Sequence, residues 1–128
     1  MKRFTEIALI SFLLAGCATS VTDLSKGETG WVSYPSSIEK INPRGVLSLP
    51  EKAAGRVPAM IVAHGSGGMG YVDEHWARFL NENGIAAFRI DYFGPRHIRP
   101  DSHFHPWPFH DAKDALALLA TQASIRSV

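Results

Sequence analysis

The chain has 128 residues, 45% of them hydrophobic and 20% charged, with a formal net charge of +1. That length suits one domain. The charge balance excludes the basic surface that a nucleic-acid partner needs, and a single cysteine excludes a disulfide scaffold.

The first predicted element is a targeting segment. Lys2 and Arg3 form a short positive head, and Ile7 to Leu14 is an apolar run too short to span a bilayer. Leu14-Ala15-Gly16-Cys17 follows, with small residues where a signal peptidase needs them. This stretch resembles a bacterial lipoprotein signal, in which the cysteine becomes the lipid-bearing first residue. Glu6 departs from the usual acid-free head, and an ordinary secretory signal with an incidental cysteine is the other reading. Residues 1–16 are read as the signal peptide and Cys17 as the lipidation site. Ala18 after the cysteine resembles proteins sorted to the outer membrane. The expected location is the bacterial envelope, lipid-anchored and facing the periplasm. Removing Lys2, Arg3 and Glu6 with the signal leaves 11 basic and 11 acidic residues. The 112 residues after it would bury about 60–65% of their unfolded surface.

Residues 17–40 read as a tether and a first edge strand. Ala18 to Thr29 is small and polar, the composition of a flexible linker. Trp31 to Tyr34 and Val46 to Leu49 carry strand composition and are ended by Pro35 and Pro50. Asn42-Pro43-Arg44-Gly45 is turn chemistry, so the two strands are expected to form an antiparallel edge. Residues 51–58 read as a charged loop. Ala59 to Ala63, after Pro58, is an unbroken apolar run and predicts a strand buried on both faces. His64 and a loop with Gly65, Gly67, Gly68 and Gly70 follow, where the backbone can turn sharply and approach a ligand.

Tyr71 to Asn83 predicts a helix. Val72, Trp76, Phe79 and Leu80 form one apolar stripe, Asp73 and Glu74 suit the first turn, and Gly84 ends it. Ile85 to Tyr92 reads as a second buried strand, which makes one βαβ unit with a right-handed crossover. Phe93 to Phe109 is proline- and aromatic-rich and reads as a long loop. A last helix opens at His110 or Asp111 and runs to about Thr121, with Ala112, Ala115, Leu116, Leu119 and Ala120 on its apolar face. Gln122 to Val128 leads towards a next strand. The fold class is α/β: antiparallel N-terminal edge strands plus a βαβ unit of a mainly parallel sheet.

Four pieces in register carry a family resemblance: Gly45-Val46-Leu47-Ser48-Leu49-Pro50, the stretch from Pro58 through His64 to Gly68, Ala77 to Leu80 before Gly84, and Ile90-Asp91-Tyr92-Phe93-Gly94. Together they resemble the N-terminal half of an α/β-hydrolase of the dienelactone hydrolase family. The resemblance implies a partial α/β-hydrolase fold over residues 41–128, no cofactor, and a small carboxylic ester or lactone as the substrate of full-length relatives. In that family a Gly-x-nucleophile-x-Gly elbow follows the helix that here ends near Thr121, with cysteine or serine as nucleophile and the acid and histidine later still. No such elbow lies there in residues 1–128. The domain is therefore expected to be incomplete, cut before the elbow and inactive alone.

What the resemblance carries over is the oxyanion loop. Acyl transfer builds negative charge on the substrate oxygen, and backbone N–H groups aimed at that point stabilise it; losing one such donor costs about 3–4 kcal/mol. Ser66 and Gly67 are the implied donors, with His64, Gly65 and Gly68 supporting the loop. Three other readings stay open. Ser66 itself would be a nucleophile if His64-Gly65-Ser66-Gly67-Gly68 were an elbow with its first glycine replaced. The loop would hold a phosphate at a helix N-terminus, although it has no lysine. Or it is a tight turn without a ligand.

His97, His103, His105 and His110 fall close together, with Asp101 and Asp111 nearby. They suggest either a zinc site or, with Trp107 and Phe109, the mouth of a pocket. Asp91 and Arg96 read as a loop-fixing pair or as a solvated surface pair. The alternative to a hydrolase domain is a small non-catalytic envelope lipoprotein that binds a ligand or metal through its glycine- and histidine-rich loops.

Overall fold

The computed structural model describes residues 20–100, 103 and 105–126. The signal segment 1–16, Cys17 and Asp101 lie outside the described residues. The chain folds as a mixed α/β unit with a four-stranded sheet. Its strands are β1 (Gly30–Ser33), β2 (Arg44–Ser48), β3 (Ala59–Ala63) and β4 (Ala86–Asp91); its helices are α1 (Tyr71–Glu82) and α2 (Trp107–Leu119). The strand order is β1-β2-β4-β3. β1 and β2 pair antiparallel as the sequence suggests. The second neighbour of β2 is β4, again antiparallel, and β3 joins β4 in parallel through the α1 crossover.

This order decides what is buried. β4 has a strand on both sides and a helix on each face, and Ala86, Ala87, Phe88 and Ile90 are sealed from solvent. Phe88 and Ile90 face α2 in a core with Val32, Tyr34, Leu47, Ala115, Leu118 and Leu119. Ala87 faces α1, against Ala77 and Leu80. Gly45 is required where β2 crosses β4: a Cβ there would lie 2.6 Å from both the Phe88 ring and the Arg89 carbonyl. β3 is not buried on both faces, contrary to its apolar run. It lies at the edge of the sheet, with Met60 and Ala63 exposed.

α1 also turns a different face inward from the one its periodicity suggests. Asp73, Ala77 and Leu80 are buried, while Val72, Trp76 and Phe79 are exposed. Polar bonds set this rotation. The Asp73 carboxylate accepts the Gly70 N–H at 2.8 Å, and the Asn81 amide donates to the Ser48 and Ile85 carbonyls at 3.2 and 2.9 Å. Ala77, with no bulk, lets the helix approach Ala87.

α2 begins at Trp107 rather than at His110 or Asp111, because Pro108 fits the first turn, where no N–H is needed. Its buried residues are Asp111, Ala115, Leu118 and Leu119; Leu116 and Ala120 face solvent. Residues 20–29 are not a free tether. Leu24 is wholly buried, its N–H donates to the Thr121 hydroxyl at 2.8 Å, and the Gln122 amide donates to the Glu28 carbonyl at 3.1 Å. Beyond α2, Ile125 forms a parallel bridge with Val57 at the start of the β3 side of the sheet.

One arginine ties these layers together. Arg96 ends a single 3-10 turn, Gly94–Arg96, and its side chain is 5% exposed. Its guanidinium forks onto Asp111, with Nη1–Oδ2 at 2.8 Å and Nη2–Oδ1 at 3.0 Å, and Nη1 also donates to the Tyr92 carbonyl at 2.8 Å. Glu39 accepts from Nε and Nη2 on the other side. The Tyr34 hydroxyl donates to the Asp111 carbonyl at 3.0 Å. Asp91 is not the partner of Arg96. It pairs with Arg44, which faces it across the β2–β4 ladder, at 2.7 Å, and accepts the Gly94 N–H at 2.8 Å.

Burial raises the Asp111 pKa, and the Arg96 charge opposes that without cancelling it. Burial works to lower the Arg96 pKa, and the Asp111 and Glu39 carboxylates more than offset it. The Tyr34 hydroxyl is pushed far above its usual range by burial and by the Asp111 charge beside it.

Removing Arg96 would strand a fully buried carboxylate. Arg96→Ala is expected to cost about 3–5 kcal/mol, with Arg96→Lys in between because an ammonium cannot fork. Urea unfolding measures this; a loss below about 1 kcal/mol, the scale of an exposed ion pair, would show that the clamp is idle.

Candidate functional site

The site starts where β3 ends. His64 is buried directly after Ala63, and the chain then makes a tight turn closed by the Gly68 N–H donating to the Gly65 carbonyl at 3.1 Å. Ser66 and Gly67 are the exposed central residues of that turn. Gly68 has φ +79, a conformation that favours glycine, and a Cβ there would meet Pro100 at 3.5 Å and Phe93 at 3.9 Å. Gly70 then opens α1, with Asp73 on its N–H. Neither the Ser66 nor the Gly67 N–H donates to a protein acceptor among the described residues. Two adjacent donors are thus presented to solvent at the C-terminal end of a parallel strand.

What holds the turn is a stacked pair beneath it. The His64 ring lies on the Tyr92 ring with centroids 3.8 Å apart and planes 13° from parallel; Phe93 packs at 4.9 Å. The Tyr92 hydroxyl donates to the His64 carbonyl at 2.7 Å, in a buried setting. His64 Nδ1 lies 2.8 Å from the Gly65 carbonyl. A carbonyl only accepts, so this contact assigns the proton to Nδ1. Nε2 keeps a lone pair, enclosed and without a hydrogen-bond partner among the described residues. That lone pair is the one a base for Ser66 would use, but it is enclosed and meets no hydroxyl among the described residues, while Ser66 is exposed.

The histidines after β4 do not converge. His97 is exposed at φ 54, closing the 3-10 turn with its N–H on the Gly94 carbonyl. His105 stacks on Trp107 at 4.2 Å, and Trp107 lies 4.9 Å under the Arg96 guanidinium. His103 is exposed and His110 half-buried. Among the described residues no three His, Cys, Asp or Glu are grouped to hold a metal. Phe109 is 86% exposed, and Trp107 belongs to the Arg96 cluster. A groove of about 640 Å³ lies between β2 and α1, lined by Val46, Ser48, Ala77, Arg78 and Arg89 among others; neither Ser66 nor Gly67 borders it.

Sequence reasoning finds the glycine turn but not the Tyr92 bolt or the Arg96 clamp. Both join residues distant in sequence whose spacing carries no period. The one signal was the cluster Asp91-Tyr92-Phe93-Gly94-Pro95-Arg96, dense in ring and charge where a strand ends.

No protein-family model and no curated protein matches the chain. Its fold is similar to a solved structure named m3DLH, with a TM-score of 0.53 and 17% sequence identity, over 77% of this chain and 46% of that one. The chain thus spans less than half the length of that neighbour. At this identity the likeness concerns the fold alone. No helix among the described residues is long and apolar enough to cross a membrane.

Proposed function

We propose that the chain is the oxyanion-binding part of an α/β-hydrolase of the dienelactone hydrolase type, acting on a carboxylic ester or lactone. The observation that carries this is the pair of free N–H groups at Ser66 and Gly67, fixed from below by His64 and Tyr92. Ligands of α/β sheets sit at the carboxyl ends of strands, where this turn lies. Donors already in place stabilise a developing oxyanion without reorganising during the reaction. The resemblance in the four sequence pieces and the fold likeness support the same assignment. In this reading the nucleophile, its base and the orienting acid come from outside residues 1–128. His64 positions the turn, and Ser66 contributes its backbone rather than its hydroxyl.

The test uses methylphosphonate, a small tetrahedral anion, titrated into the ¹⁵N-labelled chain. The Ser66 and Gly67 amide signals are expected to shift together and saturate. Ser66→Ala should leave the response intact. Ser66→Pro, which removes one donor at a turn position that accepts proline, should weaken binding at least about tenfold, the cost of a single lost donor or less. A response confined to the first amides of α1 would favour a helix-terminus anion site, and no response at all would overturn the proposal. The same protein should not hydrolyse 4-nitrophenyl acetate above background; turnover abolished by Ser66→Ala would make Ser66 the nucleophile.

The envelope location is part of the proposal and rests on Leu14-Ala15-Gly16-Cys17. Two acyl chains on Cys17 plus one on its amine would anchor the chain stably, as one chain alone does not. Mass spectrometry of the membrane fraction should find the polypeptide starting at triacylated Cys17. An unmodified cysteine in an exported, soluble protein would end this part of the reading.

A further inference from the structure

The N-terminal segment joins the fold at the same end of the sheet as the glycine turn. The Val21 N–H donates to the Ser33 carbonyl at 2.6 Å, beside the last residue of β1. Register sets Ser33 level with the turn. Ser33 pairs with Arg44 and Arg44 with Asp91, while Ala63 pairs with Ile90, so His64 continues the row of Ser33. Three strand spacings of about 4.8 Å, about 14 Å in all, separate the two. From Val21 the chain runs away from this end to Leu24, held by Thr121 beyond the close of α2. α2 starts under Arg96, past the end of β4, and the chain after it meets Val57, before the start of β3, so Thr121 marks the opposite end. Three residues lie between Val21 and Cys17. However they run, four Cα steps reach at most about 14 Å. An acyl anchor on Cys17 is tethered within that radius of Val21.

The surface at this end has the composition of a lipid contact. Tyr71, Phe109 and Ile38, exposed by 75%, 86% and 49%, come from the start of α1, the start of α2 and the loop after β1. Three separate elements thus put large apolar side chains into solvent around one end, the kind of exposure that marks an interaction surface. Aromatic side chains suit the lipid–water boundary. Lys40 and Arg99 are exposed in the loops between them. Glu39, the one acid among the described residues of 34–43, 64–70 and 92–106, is taken by Arg96. Anionic headgroups would therefore meet cations here. Strands added beside β3 would widen the sheet and leave this end facing the same way.

We infer that this end of the sheet rests on a bilayer containing anionic phospholipid, with Tyr71 and Phe109 in the headgroup region and the Ser66–Gly67 turn opening onto it. The inference rests on the acylation of Cys17 proposed above and on none of the chemistry assigned to the turn. The acyl anchor holds the chain at the membrane, and the exposed rim decides which end faces it. A rim this small would bind weakly by itself. Tethered within about 14 Å, it meets the surface at a high effective concentration.

The test uses the full chain, processed in the cell and reconstituted in vesicles of phosphatidylethanolamine and phosphatidylglycerol. Acylation occupies the only thiol, so a single added cysteine can carry an environment-sensitive fluorophore. Probes at Tyr71→Cys and Phe109→Cys are expected to shift to the blue on vesicles and to lose emission to nitroxide-labelled lipid. Probes at Ala53→Cys and Glu82→Cys, exposed at the opposite end, should do neither. Lys40→Glu with Arg99→Glu should cancel the shift at Tyr71 while Cys17 keeps the chain on the vesicles. Equal shifts at the two ends, larger shifts at Ala53 and Glu82, or a Tyr71 shift untouched by the charge reversals would each overturn the inference and leave acylation standing. An unmodified Cys17 in mass spectrometry would end the envelope reading and this inference with it.

Discussion

The candidate site depends on one contact between two loops, the Tyr92 side chain against His64. The hydroxyl holds a backbone carbonyl and the ring lies flat on the imidazole. A glycine-rich turn by itself is a poor place for chemistry, because glycine gives the backbone more freedom than any other residue. Here the first residue of the loop is pinned from below, and its Nδ1 proton fixes the Gly65 carbonyl. The Ser66 and Gly67 N–H groups are what remains to point outward. Tyr92 can do this because it follows the last residue of β4, the strand next to β3, so two strand ends set the distance between the loops.

The position of Tyr92 rests in turn on the burial around β4 and on Arg96. The guanidinium takes the Tyr92 carbonyl, the Asp111 carboxylate and Glu39 at once. It thereby joins the end of β4, the start of α2 and the connection between β1 and β2. A fully buried ion pair is a doubtful source of net stability, since the desolvation of both charges opposes their attraction. Its geometric effect is firmer: the fork admits one arrangement of the loop after β4, and that loop carries Phe93 and Pro100 against Gly68. Structural support thus runs from a charge cluster through an aromatic stack to two exposed amides.

Much of the fold is legible in the sequence, and the misses share a cause. Ala59–Ala63 can be read to the residue because Pro58 and His64 bracket an apolar run, and the start of α1 because four glycines precede a helical period. Strand order cannot be read that way. The apolar run suits a strand buried on both faces, yet Met60 is left in solvent. In α1 the period identified the helix but not its inward face, because Asp73 and Asn81 bond to backbone and so outweigh the apolar Trp76 and Phe79. Arg96 has Asp91 near it in sequence, but Asp91 lies opposite Arg44 in the ladder, and Asp111 is free to come in from α2. In the site, the loop glycines are visible as composition. The stack beneath them is a meeting of residues 28 positions apart, which no local pattern reports.

The central claim is that the Ser66 and Gly67 amides are held ready by the Tyr92–His64 contact. Backbone ¹⁵N relaxation tests it most directly, comparing the native chain with Tyr92→Phe. The account predicts order parameters for residues 65–68 near the rigid-backbone value of about 0.85 in the native chain, falling towards about 0.6 when the hydroxyl is removed. A turn already flexible in the native chain, or one equally rigid in Tyr92→Phe, would contradict it.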